Sequence, residues 1–307
     1  MAFYFNRLLE RVCDFYFPED DPDKSGKACF TDHKQLFPGC IIFAHPIFFY
    51  RFDFIAEIKV PFILITGKSD ETIPFYSCNN VDDKGEKILA NPNLIKWFAN
   101  NIDYKHDKLT CVPIGLPRNI PWIGNDKSGI YMAWYRNYVS YDSDIVNFSY
   151  KNIIQPKIKL LYIRYDNKNN KEGVTMHQYH SIRDKWSDHM KLNGFEVLEN
   201  LIPWKEYMTE LIQYKFCLSP PGRGIDCFRT WEALNSGVIP IVLKTCDIMC
   251  EMYKDLPIVV IEDIKEVTKE FLENKFGEIM HKFNNNLYNF DKLKLEYWII
   301  SILKQKL

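Results

Sequence analysis

The sequence predicts an α/β protein of two domains, each built on a parallel sheet, with a cleft between them. Three observations predict it. In the second half, short apolar runs rich in β-branched residues alternate with helical stretches, the pattern of parallel strands covered on both faces. The first half repeats that alternation less regularly. The chain has 307 residues, enough for two domains at about 150 residues each.

The elements follow in chain order. The opening stretch MAFYFNRLLERVCDFYF is broken by Arg7, Glu10, Arg11 and Asp14. It predicts an amphipathic helix and not a signal-peptide core. PEDDPDKSG, residues 18–26, is a turn-rich loop. Cys40–Phe49 and Val60–Thr66 are apolar runs that suit buried strands. Asn91 and Pro92 open a predicted helix that runs to Asn101, with Leu94, Ile95, Trp97 and Phe98 as its buried face. Leu109–Ile114 is a strand, stopped by Gly115 and Pro117. Residues 119–150 show no clean period, so the linker is placed there, ending near Gln155 and Pro156. The domains are therefore 1–150 and 151–307. In the second, strands are predicted at Lys159–Tyr165, Phe195–Leu198, Tyr214–Ser219, Val238–Leu243 and Pro257–Ile261. Helices are predicted at Met176–Leu192, Trp204–Gln213, Cys227–Ser236, Cys246–Tyr253 and Val267–Phe283.

Composition removes several functions. Formal net charge is -1, whereas a protein that binds nucleic acid by counter-ion release shows a basic excess. No apolar run reaches the roughly eighteen residues that span a bilayer. The nine cysteines are scattered without CxxC, and the histidines form no HExxH. Reduced, buried thiols in a cytosol-like compartment are expected, and no metal site.

The segment Phe216–Val242 carries the chemistry. A buried strand ends at Ser219, and the loop Pro220–Ile225 leads to a helix with Asp226 as its expected N-cap. Ligands of parallel sheets bind at the carboxyl ends of strands, where this loop lies. Gly222 and Gly224, flanking Arg223, let backbone approach a phosphate, and the helix N-terminus favours an anion. Arg229 and Glu232 share a helix face, a cation for a diphosphate and a carboxylate for ribose hydroxyls. The same spacing also describes a turn followed by a surface ion pair worth under about 1 kcal/mol. Neither GxxxxGK[ST] nor GxGxxG is present.

FCLSPPGRGIDCFRTWEALNSGVIPIVL resembles the nucleotide-binding motif of exostosin-like glycosyltransferases, FCL-x-P-x-G followed by R-x-WEAL-x-x-G-x-IP-V. MYKDLPIVVIEDIKEVTKEFLENKF is similar to that family's LPVV strand and following helix. FILITGKSDETIPFY and IKWFANNIDYKHDKLTCVPIGL resemble the ILITHNSDEPI and WFAQN…HPKL…IPIGL segments of microbial and large-virus members. The resemblance implies a GT-B architecture: two Rossmann-like domains, the first on the acceptor side and the second binding a nucleotide sugar. It implies donor contacts at Ser219, Gly222, Arg223, Gly224, Arg229 and Glu232, with Arg183 reaching the diphosphate. The donor is a substrate, so no cofactor is implied, and metal dependence stays open. A glycan or glycoprotein is the implied acceptor. The location implied is a cytoplasm, the host's if the chain is viral. Gly67-Lys68 stands where the microbial pattern has His-Asn, so no role built on that His transfers.

An inverting transferase needs a base for the acceptor proton. Asp70 follows the strand ending at Thr66 and is the expected base. The alternative is that Ser69-Asp70 caps a turn, as such dipeptides do. Glu71, His45 and His106 are the other candidates. Arg164 and Asp166 follow the strand from Lys159 and are weaker donor contacts. Asp142-Ser143-Asp144 matches the DxD of metal-dependent transferases but lies in the linker and reads as loop. Trp122, Tyr131, Trp134, Tyr135 and Tyr138 suit either sugar stacking or interdomain packing. The function expected is transfer of a sugar from a nucleotide diphosphate to a glycan hydroxyl, with inversion. A catalytically silent nucleotide- or sugar-binding protein on the same scaffold is the alternative.

Overall fold

The structure is a computed structural model that describes residues 5–17, 28–29, 32–46, 51–67, 69–70, 72–73, 83–116, 149–165, 182–222 and 224–306. Six strands form the first sheet: β1 Phe15–Phe17, β2 Ala28–Cys29, β3 Cys40–Ala44, β4 Phe62–Thr66, β5 Leu94–Ala99 and β6 Leu109–Cys111. Their order is β2-β1-β3-β4-β5-β6, and every pairing is parallel. The second sheet has β7 Lys159–Tyr162, β8 Tyr214–Leu218, β9 Ile239–Leu243 and β10 Val259–Ile261, ordered β10-β9-β8-β7, again parallel. All five residues of β3 and of β4 are buried. That explains their unbroken apolar sequences, since a central parallel strand has no solvent face.

The described helices are α1 Phe5–Val12, α2 Asp53–Ala56, α3 Asp83–Ala90, α4 Ile182–Leu192, α5 Trp204–Leu211, α6 Phe228–Asn235, α7 Asp247–Tyr253, α8 Lys269–Asn284 and α9 Leu295–Leu303. None among the described residues is long and apolar enough to cross a membrane.

Three expectations are corrected. The predicted helix from Asn91 to Asn101 is strand β5. Asn91 does not cap a helix: its side chain accepts from Asn93 N at 2.8 Å and donates to the Ala56 and Ile58 carbonyls, which ties a turn to the end of α2. Pairing of Leu94–Ala99 with both β4 and β6 then outweighs the helical spacing of its apolar residues. The predicted strand Phe195–Leu198 joins no ladder; Leu198 N donates to Ile163 O, but no regular pairing follows. The N-terminal helix ends at Val12, and Phe15–Phe17 becomes β1, because its backbone pairs with both β2 and β3.

The two sheets are joined by a shared core. Trp231 and Leu234 of α6 and Met249, Met252 and Tyr253 of α7 lie in the same apolar cluster as β3, β4 and β5. Among the described residues the chain crosses between the units twice. The first crossing is the turn Tyr150–Ile154, which packs on Gly237 at the end of α6. The second leads into α9, which returns to pack on α1, with Lys306 paired to Asp14 at 3.0 Å. The crossings touch: the Tyr150 and Phe290 rings stack 3.9 Å apart. The result is two parallel α/β units meeting along a seam.

Candidate active site

The seam is built from the carboxyl ends of strands. After β8, Ser219 is 3 % exposed. Its N–H donates to Ile241 O, and its hydroxyl lies 2.9 Å from that of Thr230 on α6. It therefore fastens strand to helix. The loop then tightens through a Gly222 N to Gly224 O bond of 2.9 Å. Each glycine makes room for another side chain. A Cβ at Gly222 would collide with Nη2 of Arg183, and one at Gly224 would lie 2.7 Å from Asn101 Nδ2. The close approach that glycine permits here is thus taken up by protein groups.

Arg183 of α4 is buried, and its Nε donates to Pro221 O at 3.0 Å. Its guanidinium carbon lies 5.8 Å from the centre of the Tyr165 ring, and that of Arg229 lies 5.4 Å from the same ring. Tyr165 is held by a bond from its hydroxyl to Arg183 O and one from Ser187 Oγ. One aromatic ring therefore gathers two cations beside the loop. Arg229 Nη1 is buried without a hydrogen-bond partner among the described residues. Burial opposes the charge on Arg229, yet the fields of Tyr207, Cys227, Cys217 and Glu232 raise its pKa overall. Glu232 is 2 % exposed. Tyr207 of α5 lies near it, its hydroxyl buried without a hydrogen-bond partner among the described residues and its pKa raised chiefly by desolvation, then by Glu232.

Asp226 is not the N-cap of α6; Cys227 occupies that position. Asp226 instead joins the two units. Its carboxylate accepts from Ile114 N at 2.8 Å and from Trp231 Nε1 at 2.9 Å. Its own N–H donates to Asn101 Oδ1 at 2.8 Å. Asn101 sits in the left-handed region, φ 52°, and its Nδ2 donates to Ser69 O at 2.9 Å. A cap serves one helix, whereas two units need a buried acceptor between them, and the latter prevails here.

Asp70 follows Ser69 and is exposed. Its charge reaches the Cys227 thiol, whose pKa is raised mainly by burial and in small part by Asp70. The carboxylate thus lies near enough to Cys227, at the start of α6, for its charge to be felt there.

Arg164 is committed elsewhere: it pairs with Glu210 at 3.0 Å and donates to Asn200 O. His106 Nδ1 accepts from Lys108 N at 3.1 Å. His45 sits edge-on to Phe43. Arg223, Glu71, Asp166, Asp142, Ser143, Asp144 and the aromatic set Trp122, Tyr131, Trp134, Tyr135 and Tyr138 lie outside the described residues. Sequence reasoning missed Asn101, Tyr165 and Tyr207. The only signal for Asn101 was an Asn pair after an apolar run, which is common in turns. Tyr165 and Tyr207 carried no signal, because each looks like an ordinary core aromatic.

No family model matches the chain, and no curated protein does. Solved structures do. A trehalose-6-phosphate protein from E. coli bound with UDP-2-fluoro glucose is 11% identical, with a TM-score of 0.40 over 89% of this chain and 75% of that one. A UDP-forming α,α-trehalose-phosphate synthase from Burkholderia vietnamiensis is 11% identical, with a TM-score of 0.38 over 88% and 75%. A UDP-forming synthase from Burkholderia xenovorans is 12% identical, with a TM-score of 0.39 over 89% and 74%.

Proposed function

We propose that this chain is an inverting glycosyltransferase that moves a sugar from a nucleotide diphosphate to a glycan or glycoconjugate hydroxyl. The observation that carries the reading is the pair of guanidiniums, Arg183 and Arg229, that lie near the Tyr165 ring beside the glycine loop. Two guanidiniums near one ring beside a backbone loop suit a group that carries two negative charges. Arg183 and Arg229 meet the diphosphate, and Glu232 accepts from ribose hydroxyls. Asp70 takes the acceptor proton as its oxygen attacks the anomeric carbon, and the bond to the diphosphate breaks. The growing negative charge on the leaving oxygen is met by the guanidiniums and by the N–H groups that open α6.

The test is a thermal-shift screen of nucleotide sugars, since a ligand that binds only the folded chain raises its melting temperature by mass action. Donors that stabilise the chain are then assayed for hydrolysis and transfer. Absence of any shift across uridine, guanosine and cytidine sugars would sink the reading. Gly67-Lys68, in place of the family's His-Asn, favours the second reading, a silent binding protein. That reading predicts stabilisation by donors with no hydrolysis or transfer.

A further inference from the structure

One side chain reaches from the segment of the proposed base to the loop of the proposed donor site. Asn101 lies two residues beyond β5 and is fully buried. It holds the segment around Asp70 on both sides. Its Nδ2 donates to Ser69 O at 2.9 Å, and its own carbonyl accepts from Ile73 N at 3.0 Å. Asp103 N donates back to Ile73 O at 3.2 Å, so Ile73 and Ile102 lie side by side as a parallel bridge. Across the seam, Oδ1 of Asn101 accepts from Asp226 N at 2.8 Å. One carboxamide therefore donates to the residue before Asp70 and accepts from the residue after the glycine loop.

Backbone and loop are both shaped for this contact. Asn101 has φ 52°, in the left-handed region that few side chains other than Asn and Asp enter. Such backbone persists only where its surroundings fix it, and it clusters at functional sites. Gly224 lies against the amide: an added Cβ would come within 2.7 Å of Nδ2 and 3.0 Å of Oδ1. The glycine loop keeps its own shape by bonds within its unit, from Gly222 N to Gly224 O, between the Ser219 and Thr230 hydroxyls, and from Arg183 Nε to Pro221 O. The units are joined by other bonds as well, since Asp226 accepts from Ile114 N at 2.8 Å and Cys246 donates to Ile102 O at 3.0 Å. What Asn101 adds is a fixed placement of the Asp70 segment against the loop.

A transfer needs the base and the anomeric carbon in one geometry, although different units hold them. A misplacement of about 1 Å can cost roughly a hundredfold in rate. We propose that Asn101 is a positioning residue for this reaction: its amide fixes the segment that carries Asp70 in register with the loop that binds the donor. The inference rests on the reading above, with Asp70 as base and residues 219–232 as donor site.

The experiment compares Asn101→Gly and Asn101→Asp with the native full chain, each alone and combined with Asp70→Asn. Glycine takes the left-handed backbone without strain and removes both side-chain bonds. Aspartate keeps an acceptor for Asp226 N but loses the donor to Ser69 O. Hydrolysis of UDP-glucose, UDP-N-acetylglucosamine and GDP-mannose gives turnover at saturation. Calorimetry gives affinity for UDP and GDP, and melting curves show that each variant folds. Asn101→Gly should lower turnover roughly ten- to a hundredfold, with diphosphate affinity nearly unchanged. Asn101→Asp should act in the same direction. In the Asp70→Asn background either change should cost under about twofold, because a residue that acts through Asp70 loses its effect with it. Native turnover in a folded variant overturns the inference. So does an equal loss in both backgrounds, the mark of a merely structural role, and so does failure of both variants to fold. A fall in diphosphate affinity that matches the fall in turnover overturns it too, since Asn101 would then serve the donor loop. In each of these cases native hydrolysis leaves the glycosyltransferase reading standing. A native chain that hydrolyses none of the three donors removes that reading, and this inference with it.

Discussion

Asp70 and Glu232 show how differently two carboxylates can be placed for one reaction. Asp70 is exposed after the end of β4, and its charge is felt at Cys227 of the other unit. Asp70→Asn keeps shape and most turn-capping capacity but removes basicity. It should lower turnover by about a hundred- to ten-thousand-fold, with donor affinity and melting temperature nearly unchanged. A capping role predicts the opposite, lower stability with near-normal turnover, and paired kinetics and melting curves distinguish the two. Glu232 is buried beside Arg229, where a carboxylate is tolerated only if paired. Glu232→Gln should weaken donor binding by roughly 1.5–3 kcal/mol, the range for bonds to a charged group. Unchanged nucleotide affinity in calorimetry would remove Glu232 from the donor site.

Among elements, α6 does the most. Its start carries Arg229, its middle places Glu232 and Trp231, and its end sets the first crossing between units. That end is closed by Gly237 in the left-handed region, φ 70°, with Gly237 N bonded to Leu234 O and Val238 N to Ala233 O. The neighbour facing Gly237 is backbone: a Cβ would collide with Ile153 N and approach Asn152 Cα to 2.9 Å. A backbone segment cannot swing aside as a side chain can. Gly237→Ala should therefore cost about 1–3 kcal/mol from conformation alone, and more from displacing the crossing turn. Chemical denaturation checks it; a loss under about 0.5 kcal/mol, the range of ordinary surface substitutions, would mean the crossing turn does not rest on α6.

At the scale of the whole molecule, Asp226 couples the units through charge as well as geometry. Desolvation raises its pKa to about 6 despite the bonds from Ile114 and Trp231. Its ordinary value is 3.8, so between these two values the folded state holds more protons than the unfolded state. Stability therefore falls as pH rises from about 4 to about 6 and levels off above, by roughly 3 kcal/mol for this group. Asp103, also raised to about 6 by desolvation, adds in the same direction. Asp226→Asn should flatten part of that slope. It should also lower stability near pH 7, since its amide faces either Ile114 N–H or Trp231 Nε1–H, donor against donor. Denaturation midpoints of native chain and variant across pH 4–8 test this. A native stability that rises over that window and is unaltered by the variant would contradict it.

The sequence by itself determined the class of fold, because unbroken apolar runs such as Cys40–Ala44 and Phe62–Thr66 have no stable place except inside a parallel sheet. It also located the loop from Ser219 to Asp226 and the helix after it, since glycine, proline and a strand-to-helix change of period are local signals. Tertiary structure alone decided that Leu94–Ala99 is a strand. Its apolar spacing fits either period, and only the neighbouring strands β4 and β6 favour one. It alone turned Asp226 from an expected cap into the acceptor that joins Ile114 to Trp231, 112 residues away from one and five from the other. It brought Arg183 and Arg229 near Tyr165, and Cys246 onto the Ile102 carbonyl, from segments with no shared sequence signal. Such meetings depend on how two sheets pack. Packing sums weak contacts over the whole core, so no short stretch of sequence encodes it.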